Sequence, residues 1–92
     1  MKSTFKLPEA RLVYVKSTKS YEPARSRLAR NLVRVRGEIG MNQDELAHKA
    51  GLHRSYVGHV EQQRRNPTLE SVEKLAMALG VDIRELFADA PA

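Results

Sequence analysis

Gly51 interrupts the chain between two short amphipathic runs, and that interruption limits the possible folds more than any other feature. Before it, residues 43–50 carry Leu46, Ala47 and Ala50 on one narrow apolar face. After it, residues 54–61 place Tyr56, Val57 and Val60 on one side of a helix, with Arg54, Ser55, Gly58 and His59 on the other. Only Gly51-Leu52-His53 joins the two runs. A turn that short must hold the second helix across the first. Glycine supplies the left-handed backbone conformation at little steric cost, and Ala47 and Ala50 are small enough for close approach. Two short helices joined by a three- or four-residue turn containing glycine form a recognised supersecondary unit.

The rest of the chain reads as helices around that unit. The first helix starts near Tyr21-Glu22-Pro23, with proline close to the first helical position. Leu28, Leu32, Val35 and Ile39 fall on one face, Arg25, Arg27, Arg30 and Arg34 occupy much of the remainder, and Gly40 closes the helix. Asn42 is a good N-cap for the second helix, with Gln43, Asp44 and Glu45 in its first turn. After the loop of residues 62–67, Thr68 caps a fourth helix carrying Leu69, Val72, Leu75, Ala76 and Leu79, which stops at Gly80. Asp82 caps a short fifth helix with Ile83, Leu86 and Phe87, and residues 88–92 are expected to fray. Residues 10–16, Ala-Arg-Leu-Val-Tyr-Val-Lys, read either as a short strand or as part of a disordered basic tail. The expected architecture is one all-α, five-helix domain over residues 24–88. A basic extension covers residues 1–23 and a tail covers residues 89–92.

Composition narrows the function. Among 92 residues there is no cysteine, which removes disulfides, thiolate zinc sites and thiol nucleophiles. No apolar run approaches the roughly 18 residues that a membrane span needs. The expectation is a soluble protein of a reducing cytoplasm, with no membrane partner. The net charge of +5 is uneven: residues 1–66 hold 14 Lys/Arg against 6 Asp/Glu, and residues 67–92 hold 2 against 5. One part of the molecule should therefore attract a polyanion. Paired catalytic carboxylates and a glycine-rich phosphate loop are not recognisable, so the chain is read as a non-enzyme without a cofactor. His48, His53 and His59 are spaced by five and six residues, which places no pair one helical turn apart for a metal.

The face opposite the core of the 54–61 helix carries the functional argument. Arg54 can form a bidentate pair with guanine, and Ser55 and His59 can donate or accept hydrogen bonds. Gly58 costs up to about 1 kcal/mol against alanine within a helix. Either it permits close approach to a groove, or it is tolerated on a solvated face. Gln43, at a helix N-terminus, could grip a phosphate with its backbone N–H and its amide. Arg64, Arg65 and Asn66 could clamp the backbone of a double helix. Glu61 sits where the helix dipole disfavours an anion, which calls for a compensating partner, and Arg36 is the candidate for a structural ion pair.

Four stretches together resemble the Cro/C1-type, or XRE-family, helix-turn-helix regulators. They are Gly40-Met41-Asn42-Gln43-Asp44-Glu45-Leu46-Ala47, then Ala50-Gly51-Leu52-His53-Arg54-Ser55-Tyr56-Val57, and then Glu61 through Arg64-Arg65-Asn66-Pro67-Thr68-Leu69 with Leu75-Ala76-Met77-Ala78-Leu79-Gly80-Val81. The resemblance spans about residues 25–88 and looks closest to restriction-modification controller proteins and phage-type repressors. It implies a five-helix domain that binds palindromic double-stranded operators as a homodimer. His53, Arg54, Ser55 and His59 would then face the major groove. Gln43, Tyr56, Arg64, Arg65 and Asn66 would follow the DNA backbone, and Arg36–Glu61 would be internal. The likeness departs at Gln63, where the family often has glycine at a turn that can require positive φ, and at Gly58 and His59. The less basic end, with Ile83 and Phe87 near the surface, is the expected dimer interface, while Leu86 is assigned to the core. The competing reading is a protein-binding regulator, such as an antitoxin or antiactivator, that holds a partner through this fold and residues 1–20.

Overall fold

In the computed structural model, which describes residues 21–91, four α-helices and a closing 3-10 helix follow one another. They are α1 (Ala24–Ile39), α2 (Gln43–Ala50), α3 (Tyr56–Glu61), α4 (Leu69–Leu79) and the 3-10 helix Ile83–Phe87. No strand occurs among the described residues, and the strand considered for residues 10–16 lies outside them. The fifth helix is thus a single 3-10 segment rather than an α-helix. Asp82 caps it as expected, its Oδ1 accepting the Arg84 N–H at 2.8 Å.

The helix boundaries follow local chemistry. Asn42 Oδ1 accepts the Glu45 N–H at 2.8 Å, and Glu45 Oε1 accepts the Asn42 N–H at 2.8 Å, forming a reciprocal capping box. Thr68 Oγ1 accepts the Ser71 N–H at 3.0 Å to start α4. Gly51 ends α2 at φ 73°, and its neighbour Leu52 donates its N–H back to the Ala47 carbonyl at 2.8 Å. The third helix begins at Tyr56, two residues later than the sequence suggests. Arg54 and Ser55 instead form the turn leading into it, closed by the Tyr56 N–H on the His53 carbonyl at 2.9 Å.

One core joins these segments. α1 packs on α3 and on the 3-10 helix, while α2 packs on α3 and α4. Leu28, Leu32 and Val35 from α1 meet Leu46 and Ala47 of α2, Val57 and Val60 of α3, and Val72, Leu75, Ala76, Ala78 and Leu79 of α4. Leu86 is fully buried, as assigned, and Phe87 packs against the same cluster. Two of the residues read from sequence as part of the apolar faces of α1 and α4 do not join it. Ile39 is exposed because the buried face of α1 ends at Val35, a turn before the helix does. Leu69 is 82% exposed because it opens α4 one turn ahead of Val72.

The expectation that residues 88–92 fray needs correction at its first two positions. Asn31, wholly buried on α1, has its amide nitrogen 2.9 Å from the Arg27 carbonyl, 3.2 Å from that of Leu86 and 3.0 Å from that of Ala88. Arg30 donates to the Ala88 carbonyl at 2.8 Å, and Arg27 donates to the Phe87 carbonyl and to Asp89. The sequence offered the arginines as a surface stripe. Their reach to the carboxyl-terminal segment appears only when the chain is folded.

Candidate nucleic-acid interface

The orientation of α3 is set by a polar lock at its carboxyl end. Arg36 Nε donates to Glu61 Oε2 at 2.7 Å, Arg36 Nη2 donates to Glu61 Oε1 at 3.0 Å, and Arg36 Nη1 donates to the Met41 carbonyl at 3.1 Å. The Glu61 side chain is only 6% exposed. A carboxylate this deeply placed needs a full set of donors, and the fork of arginine supplies two in parallel. The hydrogen bond to Glu61 raises the Arg36 pKa above its ordinary value, more than desolvation lowers it. The pair expected from the dipole argument is therefore present, and it ties α3 to α1.

Gln43 supplies the third donor. Its Nε2 lies 2.7 Å from Glu61 Oε1, so the side chain read from sequence as a phosphate grip is engaged inside the protein. To reach Glu61 it crosses Gly58: a β-carbon built at Gly58 would stand 3.2 Å from Gln43 Oε1. The missing side chain at Gly58 makes room for Gln43, a reason that neither sequence reading of this glycine contained. Nothing in the sequence pairs residues 43 and 58 until the two helices are crossed.

The exposed groups gather at the two ends of α3. At its amino end stand His53, Arg54 and Ser55, all exposed. The Ser55 N–H donates to His53 Nδ1 at 3.2 Å, and Ser55 Oγ lies 3.0 Å from the same nitrogen. An amide N–H can only donate, so Nδ1 is the acceptor in the first of these contacts. Arg54 Nη2 is 3.4 Å from Asp44 Oδ2, with both side chains largely in solvent. Such a pair contributes little to stability, and it leaves the guanidinium available to another acceptor. His59 is half-buried on α3 itself. Beyond the carboxyl end, Arg64, Arg65 and Asn66 are exposed, and the Arg65 guanidinium lies 5.1 Å from the centroid of the half-buried Tyr56 ring. That contact holds Arg65 against α3.

The pairing of Asp44 with Arg54 escaped the sequence reading. The backbone at Gln63 did not: the turn flagged there has the positive φ that the family's glycine supplies, and its φ of 59° makes it the only non-glycine residue with positive φ among those described. Among the described residues, no group of three His, Cys, Asp or Glu side chains is placed to hold a metal ion. Likewise, no described helix is long and apolar enough to cross a membrane.

Residues 32–86 match the family model described as helix-turn-helix. The chain belongs to the helix-turn-helix family. Within it, a hypothetical transcription factor of Neisseria meningitidis serogroup B is 45% identical over 63 residues, covering 68% of this chain and 59% of that protein. This chain thus spans somewhat under two thirds of that relative's length. The crystal structure of the restriction-modification controller protein C.AhdI from Aeromonas hydrophila superposes with a TM-score of 0.66 at 43% identity, covering 68% of this chain and 96% of that one. C.Esp1396I bound to a 25 base pair operator site superposes with a TM-score of 0.65 at 31% identity, covering 73% of this chain and 88% of that one. The helix-turn-helix chain described here has the all-helical fold of such controller proteins, and its XRE-type motifs stand where the resemblance put them. The family is one of transcription regulators rather than enzymes.

Proposed function

We propose that this protein is a sequence-specific reader of double-stranded DNA that regulates transcription. In this reading α3 and the turn before it enter the major groove. Arg54, Ser55, His53 and His59 meet base edges there, and Tyr56, Arg64, Arg65 and Asn66 follow the DNA backbone. The observation that carries it is the division of polar groups around α3. Arg36, Gln43 and Glu61 are bonded to one another inside, whereas Arg54, Ser55, Arg64 and Arg65 stand exposed at the two ends. An internally locked helix with an outward basic rim is what base reading requires, because register must be fixed before bases can be told apart. With the Gln43 side chain engaged, its contribution at a phosphate is the backbone N–H at the start of α2, aided by the helix dipole. The operator-bound structure of C.Esp1396I shows that a relative of this fold binds a DNA duplex.

A single helix of six residues reaches few base pairs. We therefore place two copies on two half-sites about one helical turn apart, meeting through the end that carries exposed Ile83 and half-buried Phe87. The test is selection of bound sequences from random DNA with the whole chain, followed by binding of the Arg54→Ala variant to the selected site. A palindrome, and loss of that binding by at least tenfold in the variant, is the expected result. Enrichment of no sequence overturns the reading. If Arg54→Ala keeps cellular activity while removal of residues 1–20 abolishes it, the protein acts by holding another protein instead.

A further inference from the structure

We propose that Gln63 is a positioning contact to the DNA backbone, a hydrogen-bond donor held toward a phosphate by the turn that ends α3; the inference rests on the DNA-binding reading above. The turn closes with the Gln63 N–H on the Val60 carbonyl at 3.0 Å and the Arg64 N–H on the His59 carbonyl at 2.8 Å. This is the Schellman closure, and it requires a left-handed residue. α2 and α4 close in the same way. The Gly51 and Leu52 amides reach the His48 and Ala47 carbonyls, and the Gly80 and Val81 amides reach those of Met77 and Ala76. α1 also ends on a left-handed glycine, Gly40 at φ 85°. Four helix ends make the same demand on the backbone, three meet it with glycine, and only the end of α3 meets it with a side chain that disfavours the conformation.

Nothing within the described protein offsets that strain. The Gln63 side chain is exposed, and no described residue holds its amide. A side chain kept in a strained backbone without an internal partner points to a partner outside the molecule. Its neighbours identify the kind of partner. Gln63 directly precedes Arg64 and Arg65 and follows the carboxyl end of α3. In a reading helix that docks by its amino end, this is the end turned toward phosphates rather than bases. The carboxamide N–H of Gln63 is a neutral donor suited to a phosphate oxygen, and a left-handed backbone fixes the direction in which it leaves the chain.

Three variants of the full chain test this on the selected duplex. Gln63→Gly should raise the melting temperature by roughly 5 °C and weaken binding about three- to tenfold, equally for the selected and for scrambled duplexes. Gln63→Ala keeps the strain and loses the donor, so its melting temperature should stay near that of the unaltered protein while binding falls by the same factor. Gln63→Asn, tolerated in this conformation and still a donor, should bind more tightly than Gln63→Ala. Because the donor is uncharged, the salt dependence of binding should be unchanged in all three. If the unaltered chain selects a DNA site and Gln63→Ala binds it equally well, the inference is overturned while the DNA-binding reading stands. If the unaltered chain selects no site, that reading itself has failed.

Discussion

At the scale of single residues, Gly58 and Gln43 have to be considered as a pair. Alanine in place of a helical glycine normally adds about 1 kcal/mol. Here the new methyl would press on Gln43 Oε1 at 3.2 Å, while the other end of that amide is held to Glu61 at 2.7 Å. A hydrogen bond to a charged group contributes roughly 1.5–3 kcal/mol, so straining it offsets the helical gain. Gly58→Ala should accordingly bring no gain in stability by itself, yet stabilise a Gln43→Ala background by about 1 kcal/mol. Urea denaturation of the four proteins in this cycle measures both values. Equal gains in the two backgrounds would mean that Gln43 is not the reason for the glycine. The sequence showed that Gly58 was unusual but not why, because its reason lies on a different helix fifteen residues earlier.

At the scale of elements, what was legible depended on whether the deciding chemistry was local. Asn42 with Glu45, Thr68, Asp82 and the terminal glycines act within one turn of their own helix, and each helix end they mark is where the sequence put it. The start of α3 shifted by two residues because His53 and Ser55 hydrogen-bond each other across the turn, and that competes with helix formation. Arg36–Glu61 was legible despite its long range, because the dipole left Glu61 in need of a cation. Of the residues that the sequence placed on the outer face of this helix, Arg54 and Ser55 are exposed but lie in the turn before α3, and His59 lies on it half-buried. The bond of Gln43 to Glu61 and the exposed pair of Asp44 with Arg54 both depend on how α2 crosses α3. The ion pair also carries a prediction. Arg36→Met would strand a nearly buried carboxylate, at a cost of roughly 3–5 kcal/mol. The double variant Arg36→Met/Glu61→Leu removes both charges and should recover a good part of that loss in the same denaturation measurement. A cost below about 1 kcal/mol for the single change would show that the pair does not hold α3.

At the scale of the whole molecule, folding redistributes the charge that the sequence displays. Arg27, Arg30 and Arg34 of α1 are paired with Asp89, with Glu22, and with Glu38 and Glu85 respectively. Much of the basic stripe on α1 therefore secures the two ends of the described chain to each other. The Arg30 guanidinium holds the Glu22 carboxyl below its ordinary range, and the Arg84 N–H does the same for Asp82. Groups with lowered folded values stabilise the protein above the ordinary carboxylate range and lose that effect as pH falls through the folded values. The melting temperature should thus be level from neutral pH to about 5 and fall below about pH 4. Glu22→Gln should start lower and fall less steeply. The same partition predicts which arginines meet DNA. Each phosphate neutralised releases counterions and adds about one to the slope of log K against log salt. Arg64→Gln and Arg65→Gln should each reduce that slope by about one. Arg30→Gln should lower the melting temperature and leave the slope unchanged, because its charge is already directed at Glu22. Titration of the selected duplex between about 50 and 200 mM salt separates the two groups. An Arg30→Gln slope as shallow as that of Arg65→Gln would show that α1, rather than the rim of α3, lies along the phosphates.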